Sequence, residues 1–189
     1  MTLADDPLWQ RFNNADMPCA CCGRRFEGVF DIGFDHPDPW THGNRQDSGQ
    51  DVMEHGEDRL TADFCSIGPH RFIRAVLRLP IIGADQDFAF GTWASVNPAN
   101  YETYLGFTSQ TAQFEGCFAW AMNRLPDFVM EDWLPCNLMP GRPGERPYLE
   151  VHDGAHELAT LQESGISFDR LLDIYAASGQ DLRPHLSAV

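Results

Sequence analysis

Lysine is missing altogether. The chain has 189 residues, and its 13 basic residues are all arginines, set against 28 aspartates and glutamates, so the formal net charge is −15. A surface of that sign repels polyphosphate and anionic lipid, which argues against nucleic-acid and membrane-surface partners and favours a basic protein as partner. Long apolar runs are missing too: no segment approaches the ~20 residues that a membrane span needs. The opening MTLADDPLWQ has neither the positive start nor the apolar stretch of a secretory leader. The expectation is a cytoplasmic protein whose six cysteines are thiols or metal ligands, not a disulfide framework. No phosphate loop, complete catalytic motif or closed metal signature is present, so no specific reaction follows from the residues.

What is present is a folding pattern. From Ile73 the apolar residues Ile73, Ala75, Leu77, Leu79 and Ile81 alternate with Arg74 and Arg78, the period of a half-buried strand. After the turn-rich Gly83–Asp87, the run Phe88 to Val96 alternates in the same way, which predicts an antiparallel hairpin. Asn97-Pro98 then supplies a helix cap and a first-turn proline. The run FEGCFAWAM reads as an interior strand covered on both faces, and LPCNLM and PYLEV as two further strands. The period then changes: residues 156–163 and the i, i+3, i+4, i+7 set Phe168, Leu171, Leu172 and Tyr175 predict two helices, the second capped by Ser167.

The expected fold is therefore α+β: a mainly antiparallel sheet of about five strands, with C-terminal helices packed on one face and a Cys-rich N-terminal turn. One domain spans 1–189, with a Cys-rich knuckle at 17–28, an acidic loop excursion at 35–63, the sheet at 71–151 and the helices at 155–178. The excursion is rich in Asp, Gly and Pro with sparse apolar residues, which predicts a solvated, partly mobile loop carrying His36, His42 and His55.

Cys19 and Cys22 form C-x-x-C followed by Gly23, half of a structural zinc site. The completing ligands suggested by the sequence are Cys65 with His70, or Cys21 in place of one of them. A redox role would need the pair where a strand opens into a helix, and here it precedes a glycine turn. A hydrolytic reading can draw on Cys65 with His70, or on His156 with Glu163 and Arg146, although a helix-capping histidine is the simpler account of His156. The favoured class is a non-enzymatic binding protein, with Trp40 and Trp133 as exposed aromatics. Its alternatives are a metal- or Cys/His-dependent hydrolase and an acidic inhibitor of the immunity or DNA-mimic kind.

Several stretches in order, CACCGRRFEG, DFCSIG with RFIRAVLRLPIIG, FAFGTWASVNPANYETYL, MNRLP, and RPYLEV with HELATLQESGIS, resemble the bacterial family known as domain of unknown function 2199. The resemblance runs from about Cys19 to Tyr175. It implies a single-domain bacterial cytosolic protein and brings no activity with it. Family members usually carry a histidine a few residues after C-x-x-C-G, where this chain has Phe26, so the resemblance implies that Cys21 or His70 compensates. Cys65 fits its pattern. Trp93, Arg146, His156 and Gln162 also lie in the family-like stretches and are the candidate binding residues, expected to meet at one rim of the sheet.

Overall fold

The alternation in residues 70–96 produces the longest strands of the protein, and the rest is hung on their edges. The computed structural model describes residues 2–187; Met1, Ala188 and Val189, the ends of the expected 1–189 domain, lie outside the described residues. After a 3-10 turn at Leu3–Asp5 come α1 (Pro7–Phe12), β1 (Ile32–Gly33), α2 (Arg45–Ser48), β2 (Met53–His55), β3 (Asp58–Leu60), β4 (Phe64–Ile67), β5 (His70–Pro80) and β6 (Asp87–Val96). They are followed by α3 (Pro98–Thr108), β7 (Cys117–Ala121), β8 (Leu134–Met139), β9 (Tyr148–Val151), α4 (Glu157–Ser164), α5 (Phe168–Ala177) and α6 (Arg183–Ser187). No helix among the described residues is long and apolar enough to cross a membrane.

The sheet corrects the expectation of an open antiparallel layer. β5 and β6 pair from Arg71 opposite Val96 to Pro80 opposite Asp87, and β6, β7, β8 and β9 follow as antiparallel neighbours. β9 then returns to β5 in parallel, Val76 opposite Tyr148, so five strands close into a barrel with further strands outside it. The physical reason is strand length. β5 outruns any one partner, takes β4 along its first half and leaves its second half free for β9, while sheet twist carries β9 round to meet it.

A small barrel has little interior volume, and short side chains fill it: Ala75, Ala94, Ala119, Ala121 and Cys136 are fully buried beside Leu77, Leu138 and Leu149. Packing of this kind overturns the reading of β7 as covered on both faces. Its alanines turn inward, so Phe118 and Trp120 face out, 46% and 41% exposed. The C-terminal helices pack on the barrel with Phe168, Leu171, Leu172, Ile174 and Tyr175 buried. Ser167 caps α5 by accepting from the Arg170 N–H. Gly165, with φ +80, brings the chain against β5 so closely that a Cβ there would lie 2.8 Å from the Pro80 carbonyl.

The 35–63 segment is also not the solvated loop that its composition suggested. It folds over the outer face of the hairpin and buries Trp40, Met53 and Leu60 with Cys65, Phe72, Trp93 and Met122 in a second apolar cluster. Trp40 is therefore not an exposed aromatic. The buried amide of Asn123 fixes this layer: Oδ1 accepts from the Trp93 N–H and the Thr92 hydroxyl, and Nδ2 donates to the His36 carbonyl and to Asp38 Oδ1. A few well-placed apolar residues and one satisfied polar network suffice where average hydrophobicity does not.

Candidate metal centre

The N-terminal arm reaches its place through ordinary helix chemistry. Asp6 caps α1 by accepting from the Leu8 and Trp9 N–H groups, and Pro7 occupies the first turn. Trp9 and Phe12 are then buried against α5, with the Trp9 and Phe168 rings 5.0 Å apart at 82°. Beyond α1 the knuckle closes on itself. The Cys19 N–H donates to the Arg24 carbonyl and the Gly23 N–H to the Cys19 carbonyl, both at 2.8 Å, with Gly23 at φ +72. Phe26 is buried next to Phe12, an apolar anchor under the turn.

The fourth member comes from the far end of the chain. On α6, Leu182 just before the helix and Leu186 within it are buried, and Arg183 pairs with Asp173 at 2.8 Å. This seating turns His185 towards the knuckle. Its Nδ1 lies 3.7 Å from the Sγ atoms of both Cys19 and Cys21 and 3.4 Å from that of Cys22. Cys19 and Cys21 Sγ are 3.0 Å apart, and all four donor atoms lie within 4.8 Å of one another. A tetrahedral zinc site separates sulfurs by about 3.8 Å and sulfur from nitrogen by about 3.6 Å. The sulfur–nitrogen distances match that spacing, the Cys19 and Cys21 sulfurs stand closer than it and would move apart around an ion, and the four groups together can hold a metal ion.

The close approach of two sulfurs drives their thiols apart in acidity. The hydrogen bond from Cys21 brings Cys19 down to about 6 against the opposing effect of burial, with help from the Cys21 and Cys22 N–H groups and from His185. The same contact with Cys19 pushes Cys21 up to about 11. Cysteine binds metal as thiolate, so Cys19 is prepared for a cation, while Cys21 would give up its proton on binding one.

Of the residues suggested by the sequence, Cys19, Cys22 and Cys21 are brought together, while Cys65 and His70 are elsewhere. Cys65 is buried in the second apolar cluster opposite Phe72, and burial followed by the nearby Asp58 charge pushes its thiol up to about 12. His70 is exposed at the β4–β5 turn opposite Ile67. His185 takes the place that Cys65 and His70 were expected to fill. No local pattern announces it; the only hint is a C-x-x-C short of two ligands and a histidine beside the apolar Leu182 and Leu186.

The candidate binding residues do not meet at one rim. Trp93 is fully buried, its indole N–H donating to the Phe34 carbonyl, so it has no surface to give a ligand. Arg146 pairs with Asp63 at 2.6 Å. His156 caps α4 by accepting from the Leu158 N–H. Gln162 ties α4 to the sheet, its Oε1 accepting from the Val151 N–H and its Nε2 donating to the Leu149 carbonyl. In the acidic segment, His42 lies 3.0 Å from Asp58 and its ring stacks on His55 at 4.5 Å. Those three do not form a cluster of metal-site dimensions; among the described residues that property belongs to the Cys19 group.

No curated protein and no solved structure matches the chain. One family does, over residues 18–166, a span that takes in the three knuckle cysteines and the whole barrel and stops short of His185. The chain belongs to that family, described as an uncharacterised protein conserved in bacteria (DUF2199).

Proposed function

We propose that this is a non-enzymatic binding protein whose N-terminal arm and C-terminal helix are joined by one structural zinc ion on Cys19, Cys21, Cys22 and His185. The observation that carries the reading is the convergence of three sulfurs and a ring nitrogen, from segments 163 to 166 residues apart, to within 4.8 Å of one another. Soft thiolates with one imidazole suit zinc, and four protein ligands leave no open position for water, which favours a structural over a catalytic ion. Against the hydrolase alternative, the Cys65 thiol stays protonated at neutral pH and cannot serve as an activated nucleophile. Metal analysis of protein purified without chelator tests this. One zinc per chain is expected, lost in Cys19→Ser/Cys22→Ser and in His185→Ala. A wild-type protein that takes up no zinc overturns it.

Support for a basic protein partner comes from a groove of about 1070 Å³ lined by Phe118, Trp120 and Trp133, with Glu131 and Asp132 on its wall. Aromatic faces beside carboxylates suit an arginine- or lysine-bearing segment, as an acidic inhibitor would use. An oligolysine peptide carrying an aromatic residue should quench tryptophan fluorescence in the wild type and lose that effect in Trp120→Ala. An unchanged spectrum removes the partner reading and leaves the zinc reading standing.

A further inference from the structure

A separate groove of about 1040 Å³, sharing no lining residue with the aromatic one, opens along the edge of β5. It exists because β5 changes partner there. β4 follows β5 as far as Phe64 opposite Ile73, where the Arg74 N–H reaches the Asp63 carbonyl. β9 joins β5 at Val76, opposite Tyr148, and the Val76 N–H reaches the Pro147 carbonyl. At this change of partner the 141–147 loop and the end of α3 wall the groove.

Four of the 13 arginines line this one groove, Arg74, Arg78, Arg142 and Arg146, against the carboxylates of Asp63 and Glu145. In a chain of net charge −15 that is a local reversal of sign. Arg146 pairs with Asp63, and Arg78 lies 3.6 Å from Glu145. Among the described residues neither Arg74 nor Arg142 has a carboxylate within ion-pair distance. Arg74 is the telling one. It is 9% exposed, its Nε has no hydrogen-bond partner, and the hydrogen bond its guanidinium makes, from Nη1 to the Ala62 carbonyl, is 3.5 Å long. Its guanidinium lies 5.9 Å from the Trp93 ring and passes where a side chain at Gly33 would stand. Burial, then the neighbouring Arg146 charge, works against its protonated form. A buried cation short of partners is costly unless an anion completes it.

We infer that this groove binds a small organic anion, its phosphate or carboxylate head held by Arg74, Arg142 and Arg146 and its apolar body lying on Phe64, Tyr104 and Phe107. Guanidinium groups present paired N–H donors that match either oxyanion, and the aromatic walls distinguish an organic anion from a bare ion. The inference stands apart from the metal and partner readings and can fail without them.

Calorimetric titration of the full chain with phenyl phosphate, benzoate and inorganic phosphate tests it. One of the two aromatic anions is expected to bind about tenfold or more tighter than inorganic phosphate, more weakly as salt rises, and about tenfold more weakly in Arg142→Ala. Arg142 is exposed, so that variant keeps its fold; Arg74→Met, which can destabilise, is the second variant and should abolish binding in protein shown by circular dichroism to be folded. No binding of either aromatic anion, equal binding of inorganic phosphate, or binding unchanged in Arg142→Ala overturns the proposal.

Discussion

Asn123 holds two layers together with a single amide, and its replacement should show how much. It is buried, and Asn123→Leu strands the Trp93 N–H and releases His36 and Asp38. The expected loss is about 2–4 kcal/mol, read from urea denaturation; a loss below about 0.5 kcal/mol would mean the network carries little. Cys136 makes a pH prediction. Burial raises its thiol from 9.0 to about 12, so the folded form holds its proton where the unfolded chain has lost it. Its contribution is complete below about pH 9 and is lost as pH rises towards 12. Between about pH 7.5 and 10.5 the wild type should lose about 2 kcal/mol more stability than Cys136→Ala. Parallel curves would sink that account. At this scale the sequence disclosed the half-site Cys19 and Cys22, the Asn97 and Ser167 caps and the buried Cys136. His185 stayed hidden because a ligand is defined by where α6 lands, and nothing within a few residues of it encodes that landing.

Among the elements, α6 and the knuckle belong to the outside of the barrel, and the proposed metal would add to the apolar contacts of Phe26, Leu182 and Leu186 that seat them. Hydrogen exchange after chelation, or in His185→Ala, should speed amides of α6 and of residues 19–26 while those of β5 and β6 keep their protection. Uniform loss of protection would show that the metal supports the barrel itself. The hairpin, α3, α4 and α5 were legible because period and caps agree. The 35–63 segment was not, since it spends only Pro37, Trp40, Met53 and Leu60 on full burial and turns most of its polar remainder to water. Composition averages over both faces, and a cover layer needs only one.

For the molecule as a whole, strand membership followed from alternation, whereas closure did not. Alternation in β7 is the same whether alanines or aromatics face inward; barrel volume makes that choice, and only the closed sheet has that volume. Ala121 is fully buried in the interior, so Ala121→Leu should cost about 1–3 kcal/mol by overpacking, while the outward Trp120→Ala should cost less than about 1 kcal/mol. Thermal denaturation of the pair checks it, and the reverse order would mean that the aromatic face is the true core.

With the proposed metal bound, the Cys19 to His185 junction would also alter the state from which folding begins. Bound to both ends of a disordered chain, a metal turns 166 residues of separation into one closed loop. Loop-closure entropy for a ring of that size is worth about 5 kcal/mol, most of it removed from the unfolded ensemble and not added to native contacts. Metal that arrives before folding would therefore work as a tether on the denatured chain, shortening the search by which the arm and α6 find each other across the barrel.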